Sequence, residues 1–139
     1  MRLRITLQLE REENIPLNYQ YYLSSAVYRF LETADADYAR FLHQTGYAAP
    51  VSSSSSLSST VPSTTTAARP RHFKLFTFSH LWSARSRIQG DQLYLIPGPV
   101  TWQVASPVEE FLRAFASGLL AEGTLQIASK DLLHKCVKR

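Results

Sequence analysis

The chain has 139 residues, of which 45% are hydrophobic and 19% are charged. This length predicts one domain, and this composition excludes a chain that is disordered or fibrous throughout. The net charge is +4, from 15 Lys and Arg against 11 Asp and Glu, which permits an anionic partner without requiring one. The single cysteine, Cys136, excludes an internal disulfide framework and any Cys-rich zinc site.

Positive charge is concentrated in the middle of the chain. Residues 38–90 contain six Lys or Arg residues and no Asp or Glu. A stretch of this kind is typical either of a solvated basic loop or of a surface that faces an anion. Composition alone leaves both interpretations open.

The sequence indicates neither a membrane nor a metal. The N-terminus has no charged leader or cleavage site, and no apolar run reaches roughly 18 residues, so we expect a cytoplasmic protein without membrane contact. The four histidines, His43, His72, His80 and His134, show no compact ligand spacing. We therefore expect no metal site and no cofactor.

The N-terminal third of the chain predicts a strand followed by two helices. Polar and apolar residues alternate strictly over Arg2–Leu9, as a half-buried β-strand requires. The Asn and Pro residues of 14–18 are expected to end this strand, and Asn18 to cap a helix over Tyr19–Leu31. A shorter helix is predicted over Asp35–Thr45.

Residues 48–70 differ in character from everything around them. Ser and Thr dominate this tract, three prolines interrupt it, and it contains almost nothing to bury. Such a composition cannot offset the entropy of ordering the chain. We therefore expect a disordered loop insertion that projects from the domain.

Segments that favour β-structure resume after this tract. Strands are predicted over Phe73–Ser79, Gln92–Ile96, Thr101–Ala105, Thr124–Ala128 and Leu132–Val137. Ser106, Pro107 and Glu109 match a capping box at the start of a third helix, which Gly123 is expected to end.

The order of elements, β-α-(α)-β-β-α-β, predicts an α+β fold. It corresponds to the ferredoxin-like or RRM-like split βαβ arrangement, in which helices cover one face of an antiparallel sheet. The other face of the sheet is open, where such domains meet RNA or a second domain. The fold alone does not decide between these uses.

Five pieces of the sequence, taken in order, resemble the N-terminal half of the Cas-six family. The pieces are MRLRITLQLE, IPLNYQYYLSSAVYRFL, DADYARFLHQTGY, HFKLFTFS and SPVEEFLRAFASGLL. Members of this family are CRISPR-associated endoribonucleases of the repeat-associated mysterious protein superfamily. The resemblance implies two tandem ferredoxin-like domains, of which residues 1–139 hold the first, interrupted by residues 48–70. The second domain and its glycine-rich loop are absent from these residues.

The resemblance also implies a reaction and a set of site residues. The reaction is metal-independent cleavage of precursor CRISPR RNA within its repeats, in which a ribose 2′-hydroxyl attacks the neighbouring phosphate and leaves a 2′,3′-cyclic phosphate and a 5′-hydroxyl. By motif, the catalytic residues are Tyr28, His43 and Lys74. His43 would be the general acid or, as an alternative, the base; Lys74 would stabilise the phosphorane charge, and Tyr28 would position the 2′-hydroxyl or share the proton transfer.

Each of these residues also has an ordinary structural interpretation. His43 can be a solvated side chain at a helix end, and Tyr28 can pack at the edge of an apolar stripe. Arg71 or His72 can take the place of Lys74 because they are its near neighbours. The alternative function is a non-catalytic RNA-binding or structural subunit of a CRISPR ribonucleoprotein complex.

The expected partner is CRISPR repeat RNA rather than DNA. A CRISPR effector complex and a homodimer are further partners that the resemblance leaves open. The candidate phosphate contacts are Arg2, Arg4, Arg69, Arg71, Arg85 and Arg87. The aromatic residues that can either stack on bases or belong to the core are Tyr21, Tyr22, Phe76 and Trp82.

Overall fold

The computed structural model describes residues 1–48, 71–128 and 130–132. Nearly all of the predicted Ser/Thr-rich insertion, and the predicted final strand beyond Leu132, lie outside the described residues. The helices are α1 (Tyr19–Ala34), α2 (Ala36–Gln44) and α3 (Glu109–Glu122). The strands are β1 (Arg2–Leu9), β2 (Glu13–Pro16), β3 (Tyr47–Ala48), β4 (His72–Phe73), β5 (Thr77–Phe78), β6 (Trp82–Ser83), β7 (Ser86–Gln89), β8 (Gln92–Leu95), β9 (Gly98–Ala105), β10 (Leu125–Ile127) and β11 (Lys130–Leu132).

The main sheet is built around β9. Strand β1 pairs with it antiparallel over eight residues, from Arg2 opposite Ala105 to Leu9 opposite Gly98, and β5 and β6 pair with its other edge. The alternation predicted for β1 is confirmed, since Ile5 and Leu7 are buried whereas the Arg side chains of this strand are exposed. One face of the sheet therefore packs and the other is polar.

Helices α1 and α3 pack against each other on the buried face of the sheet. The aromatic rings of Phe30, Trp102, Phe111 and Phe115 meet there at centroid distances of 5.7 to 6.1 Å. The two backbones come very close, because a Cβ added to Gly118 would lie 1.7 Å from the carbonyl oxygen of Phe30. Only glycine leaves room for this crossing.

Strand β2 was not predicted, because the Asn and Pro residues of this segment suggested a break. Residues Glu13–Pro16 instead pair antiparallel with β8, whose other edge carries β7. Proline is tolerated here because β2 is an edge strand, so one side of its backbone needs no partner. Ile15 is fully buried, which explains why this segment packs against the rest of the protein.

Two of the predicted helix caps are wrong in detail. Asn18 precedes α1, but its side chain makes no capping hydrogen bond. Helix α3 begins at Glu109 after Val108, so Ser106 is not its N-cap. The Ser106 hydroxyl is used differently, since it accepts from the Val108 N–H at 3.0 Å and donates to the Leu75 carbonyl at 2.7 Å.

The predicted strand Phe73–Ser79 is divided into β4 and β5. The two halves pair with different strands, β4 with β3 and β5 with β9. Leu75 turns the chain between them with a φ of +53°. A left-handed leucine is strained, and the Ser106 hydrogen bond to its carbonyl holds it in place.

Helix α2 is anchored at both ends. Asp35 caps it by accepting from the Tyr38 N–H at 3.0 Å, and the Tyr38 hydroxyl lies 3.0 Å from that of Tyr47 in β3. Burial, together with this hydrogen bond, raises the pKa of Tyr38 above the ordinary value for a phenol. The folded protein therefore favours the neutral form of the Tyr38 phenol.

The described residues establish an α+β fold with antiparallel sheets and three helices. The sheet order places β9 between β1 and β5, while β10 pairs with β11 in a hairpin. A complete split βαβ order also needs the last strand beside β1, so this finer arrangement stays a prediction. Within the described ranges, no helix combines the length and the hydropathy needed to cross a bilayer.

Gly118→Ala is expected to destabilise the protein by about 1–3 kcal/mol, because the added methyl group forces α1 and α3 apart. The direction of this change in stability is informative. At an exposed helix position, alanine instead stabilises a protein by about 1 kcal/mol relative to glycine. Unfolding in urea measures this change in the free energy of unfolding. The control is Ser117→Ala, at an exposed position of the same helix. A Gly118→Ala variant as stable as the wild type would contradict the close crossing.

Tyr38→Phe is expected to change how stability depends on alkaline pH. The raised pKa of Tyr38 contributes stability below roughly pH 10, the ordinary phenol value, and this contribution is lost as the pH rises towards the higher folded pKa. The stability advantage of wild type over Tyr38→Phe should therefore fall by about 1.4 kcal/mol per pH unit above roughly pH 10. Urea unfolding at several alkaline pH values measures it. Tyr21→Phe, at a side chain that is 71% exposed, is the control and should follow the wild type.

Candidate active site

Tyr28 lies on α1, half-buried, with its ring between α2 and the loop that joins β4 to β5. The His43 ring meets it edge-on at a centroid distance of 5.1 Å. The Lys74 ammonium lies over the Tyr28 ring, 5.0 Å from its centroid. Three residues that are distant in the sequence are thus brought together around one aromatic ring.

His43 lies in the last turn of α2 and is exposed. The chain leaves this helix through Gly46, whose φ of +67° suits glycine. A Cβ on Gly46 would lie 2.9 Å from the Phe73 carbonyl oxygen, so the end of α2 and strand β4 touch through their backbones. This contact, with the pairing of Tyr47 opposite Phe73, holds His43 close to the segment that carries Lys74.

Lys74 is exposed in a loop that is fixed on both sides. Before it, β4 pairs with β3. After it, the Leu75 carbonyl is bonded to Ser106, and the Phe76 ring stacks on Phe111 at 4.8 Å. The position of the ammonium is therefore set by the fold, although the side chain itself reaches into solvent.

The hydroxyl of Tyr28 is buried and has no hydrogen-bond partner among the described residues. An unpaired buried hydroxyl costs about 1–3 kcal/mol, so native proteins rarely keep one without a reason. The hydrogen-bonding capacity of this phenol is therefore unused among the described residues.

A cleft of about 220 Å³ opens beside Tyr28, between α1 and α2. Its lining residues are Tyr28, Glu32, Ala36, Ala39, Arg40, His43 and Gln44. Glu32 and Arg40 were not among the predicted site residues. Glu32 lies four residues after Tyr28, and Arg40 lies three residues before His43. This spacing was the available signal, because side chains at these separations share a helix face.

The arrangement suits proton transfer and anion stabilisation without a bound cofactor. An imidazole can exchange protons near neutral pH, and an ammonium group is a compact positive charge for a phosphoryl oxygen. Across residues 1–48 and 71–128, no group of three or more His, Cys, Asp or Glu side chains is placed to hold a metal ion.

The predicted RNA-binding arginines lie on several elements. Arg2 and Arg4 are exposed on the polar face of β1, and Arg2 lines a groove of about 790 Å³ that also includes Leu75 and Phe76. Arg87 on β7 is already engaged, since it contacts Glu12 at 3.2 Å. Arg71 and Arg85 are exposed, and Arg69 lies outside the described residues.

The candidate stacking residues have different environments. Trp82 is 68% exposed, and its register opposite Thr101, whose neighbours Val100 and Trp102 are buried, places it on the polar face of the main sheet. Tyr21 is also exposed. Phe76 belongs to the packed interior through its contact with Phe111, and Tyr22 is half-buried against the core.

Comparison with known proteins identifies a family. The family described as CRISPR-associated protein Cas6, N-terminal, matches residues 14–50 and 54–138. The CRISPR-associated endoribonuclease Cas6 1 of Methanocaldococcus jannaschii is 29% identical over 138 residues, which is 99% of this chain and 44% of that protein.

Solved structures agree with this assignment. A CRISPR-associated protein Cas6 has 29% sequence identity and a TM-score of 0.62, with 99% of this chain and 47% of that chain covered. A Cas6-related protein from Pyrococcus furiosus (TM-score 0.67, 18% identity, 100% and 48% covered) and an RAMP protein described as binding different RNA substrates (TM-score 0.66, 17% identity, 98% and 47% covered) share the fold. The chain spans about half the length of these relatives. Because the family match covers most of its residues, the chain belongs to the CRISPR-associated Cas6 family, the Cas-six family of the sequence analysis, and corresponds to the N-terminal region of its members.

Proposed function

We propose that this chain provides the catalytic residues of a metal-independent endoribonuclease that cleaves precursor CRISPR RNA within its repeats. The observation that carries the proposal is the convergence of His43 and Lys74 on the ring of Tyr28. These residues come from two helices and a loop, so helix amphipathicity does not account for their meeting. Membership of the Cas6 family and the likeness to the Methanocaldococcus endoribonuclease support this reaction.

The nucleophile in this reaction belongs to the RNA. The ribose 2′-hydroxyl loses its proton to water and its oxygen forms a bond to phosphorus, the bond from phosphorus to the 5′-oxygen breaks, and the leaving oxygen gains a proton. His43 is proposed as the general acid that gives this proton, and its exposure lets solvent reprotonate it between turnovers. Such a proton transfer contributes about 10²–10⁴-fold to the rate.

Lys74 is proposed to stabilise the charge that develops on the phosphoryl oxygens. Its ammonium contacts the face of Tyr28, an interaction worth about 0.5–1 kcal/mol at an exposed site. A phosphate oxygen is a stronger partner for an ammonium than an aromatic ring, so the RNA can replace this contact. The fixed backbone on both sides of Lys74 limits how far the charge must move.

Tyr28 is proposed to orient the attacking 2′-hydroxyl or to share its proton transfer. Its hydroxyl lacks a partner among the described residues, its ring meets the His43 ring edge-on, and the residue lines the cleft between α1 and α2. Correct orientation of a nucleophile lowers the barrier because the entropy of alignment is lost before the reaction.

The groove at Arg2 supports a path for the RNA strand. This groove shares Leu75 and Phe76 with the segment that follows Lys74, so it adjoins the proposed site. Arg4 extends the positive charge along the polar face of β1. Phosphate contacts of this kind fix the register of an RNA without reading its sequence.

The full enzyme is proposed to contain a second domain, because the relatives are about twice as long as this chain. In this proposal residues 1–139 form one ferredoxin-like domain. The exposed Trp82 on the polar sheet face favours a second candidate function, a subunit that holds repeat RNA without cutting it.

His43→Ala is expected to lower the single-turnover cleavage rate about 10²–10⁴-fold while leaving RNA affinity nearly unchanged. Lys74→Ala and Tyr28→Phe should each lower the same rate at least about tenfold, through lost charge stabilisation and orientation. The assay uses the protein as its gene encodes it, in EDTA, with an RNA that carries one full repeat of the host's CRISPR array. Product ends are identified as a 2′,3′-cyclic phosphate and a 5′-hydroxyl.

His80→Ala is the matched control, because His80 is an exposed histidine that contacts Tyr19 and Gln20 at the start of α1. Tyr19 lies nine residues before Tyr28, or about 13 Å along the helix axis, so His80 is distant from the proposed site and cleavage should stay near the wild-type rate. Cleavage that survives His43→Ala would contradict the proposed site. Binding without cleavage by the wild type would favour the RNA-holding subunit.

A further inference from the structure

Arg40 shares the cleft of the proposed active site. It lies one helical turn before His43 and lines the same space as Tyr28. The alanines at positions 36 and 39, whose side chains end at Cβ, form part of the wall around it. Small side chains here leave the cleft open beside Arg40.

The guanidinium of Arg40 is held only weakly by the protein. Its contact with Asp37 is long, 3.4 Å from Nη1 to Oδ1, and the two side chains are 64% and 93% exposed. Exposed ion pairs of this kind are worth about 0.2–1 kcal/mol. By contrast, Arg29 and Arg113 contact their carboxylates at 2.9 and 2.6 Å.

The size and charge of the cleft limit what it can hold. The cleft has a volume of about 220 Å³, which leaves room for a phosphate group. Glu32, on the α1 side, repels anions and can accept a hydrogen bond from a ribose hydroxyl. An anion in the cleft therefore lies on the α2 side, where Arg40 and His43 are.

We propose that Arg40 binds an RNA phosphate next to the scissile one and so fixes the strand in the cleft. This inference rests on the proposed function, since it assumes that RNA reacts at His43. A guanidinium can donate two parallel hydrogen bonds to a phosphate, which the long contact with Asp37 does not match. Arg40 thus acts in binding, whereas His43 and Lys74 act on the reacting group.

The closing experiment compares Arg40→Ala with Arg113→Ala. Both residues are exposed helical arginines with a carboxylate three or four residues earlier, but Arg113 lies on α3. The probe is the repeat RNA of the cleavage assay with a 2′-deoxyribose at the mapped cleavage position, which prevents reaction. The protein is used as its gene encodes it.

Arg40→Ala is expected to weaken binding of this RNA about tenfold or more, and Arg113→Ala less than about twofold. The slope of log affinity against log salt concentration should fall by about 0.7 for Arg40→Ala, the value for one phosphate contact to a single strand. At saturating cleavable RNA, the loss of cleavage rate in Arg40→Ala should be smaller than its loss of affinity, because Arg40 acts in binding. Arg40→Lys should recover part of the affinity, because it keeps the charge but not the paired donors.

A scan of neutral methylphosphonate linkages then locates the contacted phosphate. One linkage beside the cleavage position should weaken wild-type binding but have little further effect on Arg40→Ala, because the contact is already lost. Equal affinities and salt slopes for the Arg40 and Arg113 variants, with cleavage by the wild type intact, would overturn the role of Arg40 alone. Absence of cleavage by the wild type would overturn the proposed function, and this inference with it.

Discussion

Helix α1 approaches helix α3 at a distance that only a residue without a side chain allows. Gly118 lies directly against the Phe30 carbonyl, and the aromatic residues around this crossing fill the space above the sheet. Because α3 holds one face of α1 tightly, the orientation of the opposite face of α1 is fixed as well. Tyr28 lies near this second face and meets α2 and the β4–β5 loop, so the geometry of the candidate site depends on a contact made elsewhere on the same helix.

The candidate site is assembled by contacts to the backbone on either side of Lys74. Gly46 touches the Phe73 carbonyl, and Ser106 holds the carbonyl of Leu75. These two contacts lie on either side of Lys74 and tie its loop to α2 and to the end of β9. The functional side chains themselves stay free of strong partners, which is the usual arrangement when a rigid scaffold presents groups to a ligand.

The sequence predicted the regular elements well where one pattern ran for a long distance. The alternation of Arg2–Leu9 and the apolar stripes of α1 and α3 were sufficient, since each of these elements buries one face against a single core. Prediction failed where a local signal competed with tertiary pairing. The proline of β2 is accepted at a sheet edge, and the continuous β pattern of Phe73–Ser79 is divided because its halves have different partners.

The candidate site shows a similar division. Tyr28, His43 and Lys74 were selected through resemblance to a family, and their mutual contacts depend on long-range packing that no periodicity reports. Arg40 was not predicted as a site residue for the same reason. An arginine on a helix surface shows no distinguishing pattern until the helix that faces it is known. The charge pattern singles out residues 38–90 but does not separate exposed arginines from those, such as Arg87, that already contact a carboxylate.

The unpaired hydroxyl of Tyr28 lowers the stability of the fold, although the proposed function uses it. A phenylalanine at this position would keep the ring contacts with His43 and Phe76 and remove a buried polar atom that nothing described in the protein satisfies. Selection for thermal resistance alone would therefore favour the loss of that oxygen. Under the proposed function, this oxygen therefore lowers the stability of the free protein in exchange for a role in the reaction.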